Sequence, residues 1–151
     1  EPFCRDDFHL VCPAGHPLLA LAEVRPRDVA AWPFVHMARN SSVRQYLDSA
    51  LHPLKMKTLM EVDQLATVMG MVRAGLGVSM IPALTLFHFA QPGLVTRRLA
   101  WAGLERHIYL VRRRERSLSL AAQSLYERVK AQPPATSMRP RRVRRTGRAL
   151  S

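Results

Sequence analysis

The alternation of short apolar runs with amphipathic helical segments constrains the fold of this chain more than any other feature. Strand-like runs occur at residues 8–12, 33–37, 57–62, 78–81, 94–99 and 107–111. Between most of these runs, apolar residues recur at the three- and four-residue spacing of a helix that buries one face. Strands that alternate with helices predict an α/β domain whose mainly parallel sheet is covered by helices on both faces.

The strongest helix pattern lies between the second and third runs. Its apolar stripe is formed by Val43, Tyr46, Leu47, Ala50 and Leu51. Ser42 followed by Gln45 has the capping-box spacing, in which each side chain can satisfy an otherwise unpaired backbone amide. We therefore expect a helix that Ser42 caps and that Pro53 ends.

Several later residues mark where further helices begin and end. Asp63 is expected to cap the next helix, and Gly75 to end it in the left-handed conformation. Gly77 is expected to let the following strand pass close to neighbouring backbone. Pro82 is expected to open a helix that runs to about residue 89, and Ser119 to cap the last helix.

The positive charge is concentrated near the C-terminal end of the chain. The 151-residue sequence has a formal net charge of +12, and half of this excess lies in residues 139–151, which hold arginines and no acid. Residues 132–151 are expected to be disordered, because they have little apolar surface to bury. The arginines could neutralise nucleic-acid phosphates, although no aromatic residues that would stack on bases lie among them.

Cysteine and histidine usage argues against several kinds of chemistry. Cys4 and Cys12 are too few for a disulfide framework, and they are expected to be small apolar residues in a reducing cytoplasm. No histidine pair has the spacing of a metal site, and neither a nucleophile elbow nor a phosphate-binding loop is present. No run approaches the roughly 18 apolar residues of a membrane helix. The sequence therefore predicts no catalysis, no metal, no cofactor and no membrane association.

Three stretches, in the same order and at matching spacing, carry a family resemblance. They are Phe8-His-Leu-Val-Cys12 followed by Gly15-His16-Pro17-Leu18, the segment Met71-Val-Arg-Ala-Gly75-Leu-Gly77-Val-Ser-Met-Ile-Pro82, and His107-Ile-Tyr-Leu-Val-Arg-Arg113 with Leu118-Ser119 after it. Together they resemble the effector-binding region of LysR-type transcriptional regulators across about residues 3–131. Two features depart from the family pattern: Leu120 stands where a proline is common, and the arginine-rich tail is not a family feature.

The resemblance implies a two-lobed fold like that of type 2 periplasmic binding proteins, with a Rossmann-like mixed sheet in each lobe. Residues 1–7 would end the first lobe and cross over, residues 8–105 would form the second lobe, and residues 106–131 would return to the first. The implied function is the effector-sensing module of a cytoplasmic regulator that forms dimers or tetramers. Promoter DNA would be bound only through a winged helix-turn-helix N-terminal to this chain.

The candidate effector site lies at the start of the helix that follows residues 33–37. Its residues are Arg39, Asn40, Ser41, Ser42 and Arg44. A helix N-terminus presents free amides and a positive dipole end, which favour a small anionic or polar metabolite. The resemblance places this segment in the cleft between the lobes, together with Asp63 at the next helix start. A purely structural role for Ser42 and Asp63 as helix caps remains open.

Two functions of other classes remain open as alternatives. A solute-binding protein of a transport system would use the same fold. A nucleic-acid-binding protein would act through the basic tail.

Overall fold

The computed structural model describes residues 1–114, 117–132 and 134. Within these ranges six strands form, and they are β1 (Pro2–Pro13), β2 (Pro33–Met37), β3 (Lys57–Val62), β4 (Ser79–Pro82), β5 (Leu94–Arg98) and β6 (Glu105–Tyr109). The α-helices are α1 (Pro26–Ala30), α2 (Ser42–Leu51), α3 (Leu65–Arg73) and α4 (Leu120–Ala131). Short 3-10 helices form at Pro17–Leu19 and Ala83–Phe89. Most of the expected disordered tail lies outside the described residues.

The strands form a mixed sheet with β1 at its centre. β1 pairs antiparallel with β4, β5 and β6, whereas β2 and β3 pair in parallel. A parallel bridge between Phe34 and Val78 joins β2 to the segment that leads into β4. The expectation of a mainly parallel sheet is therefore wrong. A helix between two strands implies that those strands run in parallel, but β1 precedes this series and its partners are distant in sequence.

Apolar residues cover both faces of the sheet, as the sequence predicts. Because successive strand residues point to opposite faces, Phe8, Leu10 and Cys12 of β1 join one core and Val11 joins the other. Leu47 of α2 packs in the first core. The second core is completed by residues of α3 and of the second 3-10 helix, namely Val68, Val72, Leu86 and Phe89.

Two glycines have the backbone roles expected of them. Gly75 adopts φ +78° just after Ala74, the C-cap of α3, and its amide donates to the carbonyl of Val72 at 2.9 Å. A Cβ at Gly77 would lie 2.5 Å from the carbonyl oxygen of Pro33, so only glycine fits beside β2. Pro82 ends β4 and occupies the cap position of a helix that runs to Phe89, as predicted, but this helix is a 3-10 helix that begins at Ala83.

The first half of β1 pairs with β6 and forms an antiparallel ribbon that continues the central strand. Asp6 is fully buried in this ribbon. Its carboxylate accepts hydrogen bonds from Nε and Nη2 of Arg106 at 2.9 and 2.8 Å, and from the amide of Leu84 at 2.9 Å. A buried carboxylate needs such partners, because without them its desolvation would be strongly unfavourable. The ribbon is thereby fixed to the second 3-10 helix.

Helix α4 begins where the sequence predicts, since the Ser119 hydroxyl accepts a hydrogen bond from the amide of Ala122 at 3.3 Å. None of its residues is fully buried, and Leu125 of the expected apolar stripe is 64% exposed. Val111 and Leu120 nearby are 88% and 90% exposed. The C-terminal part of the described chain therefore presents an uncovered apolar surface. None of the helices in the described ranges is long and apolar enough to cross a membrane.

Candidate functional site

The candidate site lies at the carboxyl ends of the parallel strands β2 and β3. Met37 is the register partner of Val62, and the amide of Ala38 donates to the carbonyl of Val62 at 2.9 Å. A turn closed by the amide of Ser41 and the carbonyl of Ala38, 2.9 Å apart, leads into α2. Helix α3 starts just after β3, so both helices begin at the same sheet edge. In open α/β sheets, ligands bind outside the carboxyl ends of the strands.

Ser41, and not Ser42, caps helix α2. The Ser41 hydroxyl accepts a hydrogen bond from the amide of Arg44 at 3.1 Å, and Ser41 has the extended backbone of a cap residue. Ser42 is the first residue inside the helix and is exposed. The predicted capping box of Ser42 and Gln45 is therefore wrong. The turn after β2 ends at Ser41, and this fixes which of the two adjacent serines can cap.

The capping role predicted for Asp63 is also wrong. The residue in the cap position of α3 is Gln64, which makes no side-chain capping hydrogen bond. Asp63 lies one residue earlier and is exposed. The side chains of Asp63, Asn40 and Ser42 make no hydrogen bond to any other described residue. These three polar groups are therefore open to solvent at the sheet edge.

Arg44 holds the start of α2 against the sheet. The residue is only 9% exposed. Its Nε donates to both carboxylate oxygens of Asp48, at 2.9 and 2.8 Å, and its Nη1 donates to Oε1 of Glu61 at 3.1 Å. The first contact lies within the helix, whereas the second joins α2 to β3.

Glu61 also pairs with the second arginine of the site. Nε of Arg39 lies 3.1 and 3.3 Å from the two carboxylate oxygens of Glu61. Desolvation acts to raise the pKa of Glu61, but hydrogen bonds and charge from Arg39 and Arg44 outweigh it and lower that pKa. Glu61 is therefore ionised at neutral pH. The positive charges of the two arginines are balanced by the carboxylates of Glu61 and Asp48.

His36 is buried beneath this ion-pair cluster. It is the register partner of Glu61 on β2 and is 3% exposed. Desolvation, with the nearby charge of Arg44, lowers the pKa of His36 to about 4, so the imidazole is neutral near pH 7. Its Nδ1 has no hydrogen-bond partner among the described residues. An unpaired buried polar atom is unusual in a folded protein.

Sequence reasoning expected the helix start at residues 61–64 to face the cleft, but it selected Asp63 there and did not select Glu61, His36 or Asp48 as site residues. The alternation of side chains along β2 and β3 could have identified His36 and Glu61, because register partners on paired strands share one face of the sheet. Arg44 and Asp48 have the four-residue spacing of a helical ion pair. What the sequence could not provide was the register between β2 and β3.

Two cavities lie outside this edge, along the exposed surface of the C-terminal region. They have volumes of about 650 and 490 Å³. Both are lined by residues 110–113 and by Tyr126 of α4. No group of three histidine, cysteine or acidic side chains that could hold a metal ion occurs in the part of the chain that the structure describes.

The mixed sheet, with helices on both faces and polar groups at the carboxyl ends of β2 and β3, defines an α/β domain. A model of the LysR substrate binding domain family matches residues 1–134. The chain therefore belongs to the LysR substrate-binding domain family.

The curated relatives of this chain are transcriptional regulators. It is 37% identical over 94 residues to the transcriptional activator protein LysR of Escherichia coli, covering 61% of this chain and 30% of that protein. It is 34% identical over 140 residues to the HTH-type transcriptional regulator YfeR of Shigella flexneri, covering 87% of this chain and 43% of that protein. The chain thus spans less than half the length of these relatives.

Solved structures share the fold at low sequence identity. The effector binding domain of QuiR in complex with shikimate aligns with a TM-score of 0.74 at 19% identity, covering 86% of this chain and 62% of that chain. The Synechocystis CcmR regulatory domain in complex with 2-PG aligns with a TM-score of 0.76 at 16% identity, covering 87% of this chain and 64% of that chain.

Proposed function

We propose that this chain forms most of the second lobe of an effector-sensing region in a LysR-type transcriptional regulator. In this proposal the edge at the ends of β2 and β3 is one wall of the cleft that binds a small polar metabolite. The observation that carries it is the convergence at this edge of two helix starts, paired arginines and three unpaired polar side chains. The binding of shikimate and 2-PG by the two structural neighbours supports the same reading.

The proposal assigns separate roles to the parts of the chain. Residues 8–105 form the lobe that contacts the effector, residues 1–7 and 106–117 cross between the lobes, and the helix at residues 118–131 packs in the first lobe. The uncovered apolar surface of α4 supports this division, because a packed first lobe would bury it. An effector that binds the closed arrangement of the lobes more tightly would shift the population toward it.

The role we propose is binding and not catalysis, because the curated relatives are transcriptional regulators. We place the intact protein in the cytoplasm, where it would act as a homo-oligomer. Contact with promoter DNA would come from a domain outside this chain. The effector would change the geometry of the oligomer and thereby the affinity for DNA.

The effector we propose carries at least one anionic group together with hydroxyl or amide groups. Arg39 is largely exposed and pairs with Glu61 only through Nε, so its terminal nitrogens face solvent without a described partner. Asn40 and Ser42 add neutral donors and acceptors beside it. Charge-assisted hydrogen bonds from a guanidinium to an anion are stronger than neutral ones.

A metabolite screen on the intact protein tests this function. Polar carboxylates and sugar acids are screened by thermal melting, and each hit is titrated by calorimetry. Arg39→Ala should weaken binding of a hit by roughly tenfold, because it removes a charge-assisted contact. Arg27→Ala is the matched control, since Arg27 is an exposed arginine on α1 away from this edge. The proposal fails if Arg39→Ala and Ser42→Ala both bind every hit as the wild type does.

A further inference from the structure

Glu61 occupies the centre of the cluster at the proposed effector site. Its carboxylate contacts Nε of Arg39 at 3.1 Å and Nη1 of Arg44 at 3.1 Å. Glu61 belongs to β3, whereas the two arginines belong to the turn after β2 and to α2. A carboxylate held between two guanidinium groups has the surroundings that an anionic ligand would need.

The contacts of Glu61 can be exchanged at little structural cost. The Arg39 side chain is 81% exposed and that of Glu61 is 30% exposed, and ion pairs this open to water contribute little net stability. Arg44 keeps the carboxylate of Asp48 when Glu61 leaves, so its buried charge stays compensated. The start of α2 also stays capped by Ser41.

Unpaired polar groups also occur on β2, in the turn after it and at the start of α2. Nδ1 of His36, the register partner of Glu61, is buried and without a partner among the described residues. The side chains of Asn40 and Ser42 are exposed at the start of α2. The cluster is therefore balanced in charge, but its hydrogen bonds are incomplete.

We propose that Glu61 is an internal stand-in for the anionic group of the effector. The effector would bind by displacing the Glu61 carboxylate from Arg39 and Arg44, which rests on the function proposed above. The carboxylate of Glu61 contacts both arginines, so an anion that binds only one of them cannot compensate for its displacement. Ligands that also form hydrogen bonds to neighbouring groups can compensate, and the exchange therefore favours them. Glu61 thereby raises the selectivity of the site and lowers its affinity for simple anions.

Anion rescue of a Glu61 variant in the isolated chain tests the stand-in role. Melting temperatures are measured in sodium phosphate and in sodium malonate, each compared with sodium chloride at matched ionic strength. In Glu61→Gln, both anions should raise the melting temperature by roughly 2–5 °C at about ten times their Kd. The wild type should show a clearly smaller rise, because its own carboxylate fills the position between the two arginines and leaves only the terminal nitrogens of Arg39 open.

Matched variants decide whether the rescue is specific. Glu105→Gln removes a partly exposed acid whose carboxylate pairs with Arg5 and lies 3.9 Å from Nε2 of His107, and it should behave as the wild type does. Adding Arg39→Ala to Glu61→Gln should abolish the rise. Glu61→Asp keeps the charge but shortens the side chain, so it should fold and show an intermediate rise. The stand-in role is refuted if Glu61→Gln responds no more than Glu105→Gln, or if the rise persists without Arg39.

The intact protein separates this inference from the proposed function. There Glu61→Gln should tighten binding of a metabolite hit by about tenfold, because the internal competitor is gone. A hit that binds the wild type and Glu61→Gln equally would overturn the stand-in role and leave the sensing function in place. The opposite result is also possible: anions stabilise Glu61→Gln in the isolated chain, but no metabolite binds the intact protein. That result would overturn the sensing function instead.

Discussion

Two adjacent serines at the start of α2 differ in their contribution to stability. Ser41→Ala removes the hydroxyl that accepts from the Arg44 amide, so it should destabilise the chain by about 0.5–2 kcal/mol. Ser42→Ala removes an exposed hydroxyl without a described partner, and its effect should stay within about 0.5 kcal/mol. Urea unfolding of both variants measures the difference. Equal losses, or a larger loss for Ser42→Ala, would contradict the assignment of Ser41 as the cap.

The buried imidazole of His36 makes stability depend on pH. Its folded-state pKa is about 4, against 6.5 for an unperturbed histidine, so the unfolded chain takes up a proton first as the pH falls. The free energy of unfolding should therefore decrease by about 3 kcal/mol between pH 6.5 and pH 4, with no contribution from His36 well above pH 6.5. This loss comes in addition to that caused by carboxylate protonation at the acid end of the window.

Two variants isolate this effect when unfolding is measured from pH 4 to pH 8. They are His36→Phe and a control at an exposed histidine, His52→Asn. The Phe variant retains an aromatic ring against Phe34, whose centroid lies 4.4 Å from that of His36. Its stability should change less steeply with pH than that of the wild type, whereas the control should follow the wild type. Parallel curves for all three proteins would show that His36 does not titrate as described.

At the scale of elements, helices α2 and α4 differ in what covers them. Leu47 of α2 is 3% exposed, whereas Leu125 of α4 is 64% exposed. Leu47→Ala should cost about 2–5 kcal/mol in this chain, and Leu125→Ala no more than about 0.5 kcal/mol. In the intact protein, where the proposed first lobe covers α4, Leu125→Ala should become clearly destabilising. Chemical denaturation of both variants in both proteins measures this, and an unchanged cost for Leu125→Ala would argue against the proposed packing.

The bounds of several elements follow from local sequence alone. β2 and β3 have the predicted bounds, since prolines, polar turns and apolar runs delimit them. β1 begins at Pro2, well before the predicted start at residue 8. The prediction missed these residues because the charged side chains of Arg5, Asp6 and Asp7 are not typical of a buried strand. Asp6 is compatible with a buried strand because Arg106 on β6 and the amide of Leu84 bond to its carboxylate. Both partners are distant in sequence, and no local pattern identifies them.

The candidate site shows the same division between local and long-range information. The sequence predicted a polar segment between the end of β2 and the start of α2. In the structure this segment lies at the carboxyl end of β2. The sequence could not show that Arg39 and Arg44 share Glu61, because this contact depends on the pairing of β2 with β3. Arg39 and Arg44, which the sequence offers as candidate effector contacts, are therefore already paired with carboxylates.

At the scale of the whole molecule, the helix of the candidate site contacts the ribbon formed by β1 and β6. The hydroxyl of Tyr46, on α2, lies 2.7 Å from the carbonyl of Gly103 and also contacts that of Glu105, where β6 begins. The Tyr46 ring stacks on Phe8 of β1 at 5.3 Å. A displacement of α2 by an effector would therefore act on both strands of the ribbon.

Tyr46→Phe should consequently separate effector binding from its consequences in the intact regulator. The ring and its stacking on Phe8 remain, so effector affinity should stay within about threefold of the wild type, a difference of under 1 kcal/mol. The change in DNA affinity that the effector causes should shrink, because the link from α2 to the start of β6 is lost. Tyr109→Phe is the matched control, since Tyr109 is 58% exposed on β6. Calorimetry gives the effector affinity, and promoter binding with and without effector gives the coupling. Full coupling in Tyr46→Phe would show that the motion passes through the core packing and not through this hydroxyl.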